Sequence, residues 1–470
     1  MSIIIPANSA AGGGGFGVAN SLRFNRGSSD YLRWNSSPSG NRQKFTWSAW
    51  FKRSSFGATQ ILGSASYSGG DEGYLFLSSG GILGWQSTNS GDGNLTTARS
   101  FKDTSAWYHV VFSVDTTQST ATNRIKLYIN GSQYTWDGNT TQPNQNQSLY
   151  WNVGDTYYPY IGRRNGGDYF DGYMAEIVQV NNAQLAADSF GEFDEDSGIW
   201  KPIDVSGLTF GDTGYYLNFQ DSSALGNDVS GENHDWTSYN LAAIDQTTDT
   251  CTNNFATINP LDNFYTPHSL SEGNLKQTTD STSGYAPNVS TFALDEGKWY
   301  FEVKYVSRSS SDNYNLIGIK GSQVINTNFL GQNNYEYGYY SQSGQYYNNN
   351  SGNSYGASYD QGDIIGCYLD LDNNKLYFAK NGALQNSGTG ISITDPASTP
   401  SGYYFFAAGD YGGSLTIVNE WNFGNPLFTG TDKSDANGYG SFEYDPSVGT
   451  FDGASKNFYA LNTKNLAEYG

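Results

Sequence analysis

Asp363-Ile-Ile-Gly-Cys-Tyr-Leu-Asp-Leu-Asp372, then Asn373-Asn374, then Lys375-Leu-Tyr-Phe-Ala379 and a second turn at Asn381-Gly382 read as a three-stranded meander. The runs are rich in β-branched and aromatic residues, and Asn-Gly pairs accept the left-handed backbone that a two-residue hairpin needs. The two turns fix the pairing register. The same pattern recurs upstream. Arg124-Ile-Lys-Leu-Tyr-Ile129 alternates polar and apolar with period two and meets Asn130-Gly131, which predicts a strand, a tight turn and a returning strand. Phe45–Phe51, Trp107–Asp115, Gly297–Val303 and Asn315–Ile319 are further aromatic or β-branched runs, bounded by Gly, Asn, Asp and Ser clusters. The one helical stretch expected before residue 200 is Asn182–Phe190, short and Ala-rich.

Composition supports a folded chain. Of 470 residues, 37 are Tyr, 26 Phe and 11 Trp, whereas a disordered chain of this charge is poor in rings. Basic residues number 24 against 45 acidic ones, a net charge of −21, which argues against nucleic-acid partners because phosphate binding rests on clustered Lys and Arg. Two cysteines, Cys251 and Cys367, are too few for a disulfide framework or a four-cysteine metal site. Met1-Ser-Ile-Ile-Ile-Pro6 lacks the basic flank and apolar length of a secretory signal, and no run reaches the 18 or so apolar residues of a membrane span. A soluble protein made in a cytoplasm, with no membrane insertion, is therefore expected.

The fold expected is all-β: two β-sandwich jelly-roll domains with a flexible N-terminal arm and a C-terminal tail. The arm covers 1–20 and holds the Gly-rich run Ala10–Gly15; the first sandwich covers 21–200; a connecting segment of 201–290 includes one good strand, Tyr215–Phe219; the second sandwich covers 291–425; and 426–470 form the tail.

Residues 21–200 resemble a laminin-G-like domain of the concanavalin A-like class. The resemblance lies in Ser21–Tyr31 as the opening strand, Trp107-Tyr-His-Val-Val111, the Tyr128-Ile-Asn-Gly131 hairpin, Tyr160-Ile-Gly162 and Phe170–Ile177. Residues 291–424 resemble a SPRY domain through Gly297–Val303, Gly362–Gly366, Leu369–Asp372, the Phe378–Gly382 turn and Trp421-Asn-Phe-Gly424. The whole layout is similar to structural proteins of tailed bacteriophages of marine bacteria and cyanobacteria, through Ile5–Ser9, Phe190–Pro202, Asn259-Pro-Leu-Asp262 and Ala460–Leu466. That resemblance implies a non-enzymatic virion surface protein, a tail fibre, adhesin or capsid-associated fibre attaching to host cell-surface glycans. It implies a homotrimer held to other virion proteins, made in the host bacterial cytoplasm and located on the virion. The rivals are a glucanase-type glycan-degrading enzyme and a purely architectural capsid decoration.

Candidate sites follow from chemistry. The Tyr-rich stretch offers Tyr337, Tyr340, Tyr346, Tyr347, Asn348 and Tyr355 as ligand-binding residues, since rings pack the apolar face of a sugar while amides take its hydroxyls; the alternative is that the rings are core or inter-subunit packing. Asn348–Ser354 reads as a polar loop of the kind where sandwiches keep binding residues. The glucanase rival rests on Glu192, Asp194 and Asp196, which would share one face of an extended strand, against the reading of a solvated acidic turn. His109, in a predicted strand, lies beside no Gly-x-Ser-x-Gly turn, so no catalytic residue is assigned. No cofactor is expected apart from Ca²⁺, which the laminin-G resemblance implies at one rim; Asp155, Asp168 and Asp171 are its candidate ligands, or plain solvated charges.

Overall fold

A computed structural model describes residues 15–470 except 36–37, 68–69, 155–156, 263–267, 280–284, 286, 323–327 and 413–414. The expected all-β fold is what forms, as two units that divide between Asn254 and Phe255. Most of the expected N-terminal arm lies outside the described residues. Within its last part Val18 is buried, with its backbone N–H donating to Thr252 Oγ1 (3.0 Å) and its carbonyl accepting from Thr250 Oγ1 (3.1 Å).

The first unit stacks two eight-stranded sheets. In one, Lys44–Arg53 lies between Tyr108–Asp115 and Gly172–Asn181. Its alternate residues Phe45, Trp47, Ala49 and Phe51 enter the core between the sheets, while Trp50 enters a second cluster with Trp107, Tyr173, Phe190 and Trp200 on the opposite face. The strand is thus apolar on both faces, and aromatic residues supply the area for both. The other sheet runs Thr140–Thr141, Asn94–Ser100, Ile82–Ser87, Glu72–Leu77, Gln60–Tyr67, Tyr157–Ile161, Tyr31–Arg33 and Thr237–Tyr239.

The expected connecting segment, 201–290, is divided between the units. Tyr215–Leu217, Thr237–Tyr239 and Gln246–Thr247 add strands to the first, and Ser269–Ser271, Lys276–Thr278 and Asn288–Val289 add strands to the second. Strands of two or three residues are too short to show a period, so the pattern reads as loop. A buried ion pair fastens the end of the first unit: Lys52 Nζ lies 2.8 Å from Asp249 Oδ2 and 2.7 Å from Asn254 Oδ1, while Asp249 Oδ1 accepts from Trp107 Nε1 (3.1 Å).

The expected Asn182–Phe190 helix is a single 3₁₀ turn, Ala187–Ser189. The segment is held extended because sheet side chains take its backbone groups: Thr46 Oγ1 donates to the Ala183 carbonyl and accepts from Leu185 N–H, and Ser113 Oγ donates to the Leu185 carbonyl. Among the described residues the α-helix is Thr463–Tyr469, capped by the Asn462 side chain.

The second unit pairs a nine-stranded and a six-stranded sheet. The meander forms in the expected register, with Asp370 opposite Lys375 and Ile365 opposite Lys380, and with Asn374, Asn381 and Gly382 at positive φ. The expected tail packs against this sandwich. Tyr459–Ala460 pairs in parallel with Lys298–Arg308, and Phe442, Phe451 and Phe458 bury against Tyr300, Tyr368 and Tyr377. The buried Glu302 carboxylate accepts from the backbone N–H groups of Glu443 (3.0 Å) and Tyr444 (2.8 Å), from Asn422 Nδ2 (3.1 Å) and from the Tyr300 hydroxyl (2.8 Å). The tail lacks periodicity because its contacts are single aromatic anchors rather than a strand face.

Candidate functional site

The six-stranded sheet runs Asn288–Val289, Phe405–Asp410, Asn315–Lys320, Glu336–Tyr340, Gln345–Asn348 and Ser351–Ser354. Successive side chains of a strand point to opposite faces. Ile317, Ile319, Tyr337, Tyr339, Phe406 and Ala408 therefore fill the core between the sheets, and Leu316, Tyr340 and Ala407 face the other way. On that outer face Tyr340 and Phe329 are buried, and the rings of Tyr314, Tyr347 and Tyr411 stand half-buried around them. Tyr411 touches all four others, with ring centroids 4.4 Å from Phe329, 4.9 Å from Tyr340, 5.6 Å from Tyr347 and 6.0 Å from Tyr314. Tyr340 and Tyr347 meet edge to face at 5.6 Å. Burial pushes the Tyr340 and Tyr347 hydroxyls up, so both keep their protons and act as neutral donors and acceptors. The segment bearing Phe329 and Leu330 lies directly on Gly338, where a Cβ would come within 2.5 Å of the Leu330 carbonyl oxygen.

The six residues expected to bind ligand are not brought to one surface. Tyr340 and Tyr347 belong to the outer ring face. Tyr337 and Tyr355 are buried in the inter-sheet core, where the Tyr337 hydroxyl accepts from Thr394 N–H (3.1 Å) and the Tyr355 hydroxyl from Phe378 N–H (3.3 Å). Tyr346 packs edge to face on Tyr355 at 6.1 Å, and Asn348 donates to the Glu336 carbonyl (2.9 Å). The expected polar loop 348–354 is a hairpin: Asn349 and Asn350 both take positive φ, and Ser351–Ser354 returns as the exposed edge strand. Two adjacent Asn tolerate the left-handed backbone that a primed turn demands. Tyr314, Tyr411 and Phe329 were not singled out from the sequence. The first two obey the same alternation, two positions beyond Leu316 and Gly409 respectively, so parity could have found them once the strand order was known.

The catalytic alternatives lose their geometry. Only Gly191–Phe193 of the acidic word is strand; Asp194 turns back, accepting from Ser197 N–H (2.9 Å) and Ser197 Oγ (2.9 Å). Glu192, Asp194 and Asp196 do not share a strand face. Lys201 Nζ lies 3.1 Å from Asp194 and 3.3 Å from Glu192, and the Ser197 hydrogen bonds, aided by Lys201, hold the Asp194 carboxyl down at about 2. Asp194 therefore lacks the raised pKa that a general acid needs. Ser48 Oγ and His109 Nε2 lie 2.8 Å apart, the spacing of a nucleophile and its base. But Trp200 Nε1, a donor only, gives its proton to His109 Nδ1 (3.0 Å). The ring proton therefore sits on Nε2 and points at Ser48, so no lone pair remains to take the serine proton. Burial pushes the imidazole down to about 3.

For calcium, Asp155 lies outside the described residues. Asp168 pairs with Arg164 Nη2 at 2.7 Å. Asp171 is buried, which raises its carboxyl, and it accepts from Arg26 N–H (3.5 Å). Among the described residues no group of three or more His, Cys, Asp or Glu is placed to hold a metal ion.

Residues 26–188 match the family described as the concanavalin A-like lectin/glucanases superfamily, and residues 298–404 match the SPRY domain. Both expected domains are thus present. Over 101 residues the chain is 39% identical to Ran-binding protein 9 of Mus musculus (21% of this chain, 14% of that protein) and 38% identical to Ran-binding protein 9 of Danio rerio (21% and 16%). Over 136 residues it is 29% identical to the Ran-binding proteins 9/10 homolog of Drosophila melanogaster (26% and 14%). The match spans about a sixth or less of the length of these relatives. The solved SPRY domain of human HERC1 is similar at 16% identity, covering 35% of this chain and 96% of that one, with a TM-score of 0.29. These relatives correct the expected role. They are eukaryotic proteins named for binding Ran, which points away from a bacteriophage fibre, adhesin or capsid decoration, from a virion location, and from virion proteins, host glycans and a homotrimer as the partners.

Proposed function

We propose that this chain is a non-enzymatic binding protein, without a cofactor, whose SPRY unit grips a segment of a partner protein on the ring face centred on Tyr411. The observation that carries the reading is the cluster itself: three half-buried tyrosines standing on a buried Tyr340 and Phe329. Rings fixed by their neighbours lose little entropy when a ligand covers them, and Tyr is enriched among the residues that dominate protein interfaces. The hydroxyls give such a surface polar specificity as well as area. The relatives that share this sequence are named for binding a protein, which supports a protein partner for this chain also. The neutral, proton-blocked His109 and the lysine-paired acidic turn support the absence of catalysis.

The test is to pan the purified chain against a ribosome-displayed peptide library with Ran as an added ligand, and to titrate what is captured by fluorescence anisotropy. Tyr411→Ala is expected to weaken binding by about tenfold or more, the range of a truncated interface anchor, with Tyr347→Ala weaker in the same direction. Captured ligands that bind both variants as tightly as the unaltered chain would refute the assignment of this face.

A further inference from the structure

The first unit carries a second surface of unlike character. On the outer face of its second sheet Tyr31 stacks on Tyr239 with centroids 4.5 Å apart and planes 3° from parallel. The Arg163 guanidinium lies 4.5 Å over Tyr31 and 5.0 Å over Tyr160, and that of Arg33 lies 4.8 Å over Tyr239 and 4.9 Å over Tyr158. The result is a parallel ring pair with two guanidinium groups packed against it among further tyrosines. Register places it on one face: Tyr31 is opposite Tyr239, and Arg33 is opposite Tyr160. Tyr31, Arg33, Tyr158, Arg163 and Tyr239 are all half-buried.

Among the described residues the charge on this face is not answered by a carboxylate. Among the described residues neither Arg33 nor Arg163 makes an ion pair, although the chain has 45 acidic residues against 24 basic ones. The neighbouring Arg164 shows the contrast, since it takes both Glu72 and Asp168. Arg33 gives Nε–H to Asn35 Oδ1 and one Nη2 proton to the Tyr239 hydroxyl; Arg163 gives Nε–H to the Arg164 carbonyl (3.1 Å). The two Nη groups of Arg163 make no hydrogen bond to the described residues. They form the planar fork that matches a carboxylate through two parallel bonds.

We infer that this face binds an acidic segment of a partner protein, with carboxylates on Arg33 and Arg163 and the backbone between them lying on the Tyr31–Tyr239 pair. Two cations suit a short run of carboxylates. A nucleic acid would need a long row of Lys and Arg and would meet a chain of net charge −21. Tyr and Arg together are also the residues enriched at protein interfaces. In an extended segment alternate side chains share one face, so a Glu-x-Glu-x-Glu run turns a row of carboxylates toward the two guanidinium groups. The inference concerns a different unit from the SPRY face and stands independently of it.

The experiment is fluorescence anisotropy on the full chain with a fluorescein-labelled peptide, Gly-Glu-Ser-Glu-Ser-Glu-Gly, and its counterpart with Gln at each Glu. The Glu peptide is expected to bind and the Gln peptide to lose at least tenfold. Arg163→Gln and Arg33→Gln should each weaken the Glu peptide by about tenfold, in line with the loss of a charge-assisted bidentate contact, and Arg163→Lys should not restore it, because an ammonium cannot stack and fork at once. Circular dichroism of each variant checks the fold; if one arginine variant does not fold, the other and the Gln peptide decide. Equal binding of the two peptides, binding unchanged in the folded variants, or an oligothymidylate that binds tighter than the Glu peptide and depends on the same arginines would overturn the inference.

Discussion

The buried pair between Lys52 and Asp249 tests how the first unit is closed. Both side chains are about fully buried, at 1% and 0% exposure, and Asp249 also takes the Trp107 indole proton. Asp249→Ala removes the carboxylate hydrogen-bonded to the Lys52 ammonium, leaving Asn254, the Tyr173 ring and the more distant charge of Asp103, and it removes the carboxylate that accepts from Trp107 Nε1. Breaking one side of a buried, hydrogen-bonded ion pair costs about 3–5 kcal/mol, a large share of the 5–15 kcal/mol that holds an ordinary domain. The double variant Lys52→Met/Asp249→Leu removes both charges, and apolar replacement of a whole pair is often neutral. It is expected to regain all but about 1–2 kcal/mol of the loss. Urea unfolding of the full chain, followed by hydrogen exchange in peptides spanning Lys44–Arg53 and Gly172–Asn181, reads this unit apart from the other. A loss below about 1 kcal/mol for Asp249→Ala, or a double variant as unstable as the single, would refute the claim that the charges need each other.

Two further outcomes are expected. Burial pushes the carboxyls of Glu176 and Glu302 up to about 7 from an ordinary 4.5. Between those values the folded chain holds protons that the unfolded chain has released, so their contribution is full below about pH 4.5 and is lost as the pH rises through about 7, to the extent of about 3 kcal/mol each. Urea midpoints of the unaltered chain should therefore fall across that window relative to Glu302→Gln and Glu176→Gln; parallel curves would show that the hydrogen bonds to these carboxylates outweigh burial. In ¹⁵N NMR spectra His109 should remain a neutral Nε2–H tautomer down to about pH 4, given a ring that titrates at about 3; a protonated ring at pH 6 would contradict the Trp200 bond.

Much of the scaffold was legible because its turns declare themselves. Asn130-Gly131 and Asn381-Gly382 take positive φ as hairpin chemistry requires, and the strands beside them follow. What was hidden depended on partners far away in sequence. Tyr215–Leu217 is a strand only because Gly172–Asn181 offers an edge, and Asn182–Phe190 is not a helix because Thr46 and Ser113 capture its backbone. The site was half legible for the same reason. A Tyr-rich stretch announces rings, yet adjacent residues face opposite ways, so Tyr339 enters the core and Tyr340 the outer face. The rings that complete the face come from Tyr314 and Tyr411, whose approach only the strand order reveals.

Gly338 has no room above it, and what presses closest on it is the backbone of a connecting segment, with the Leu316 side chain of the neighbouring strand next. A methyl group there would lift Leu330, and with it Phe329, while the strand pairing beneath is made by backbone groups that the change leaves alone. The grip of the ring surface and the endurance of the scaffold are thus separable traits. Lineages could retune what the molecule holds by editing one short overpass, without renegotiating how it folds.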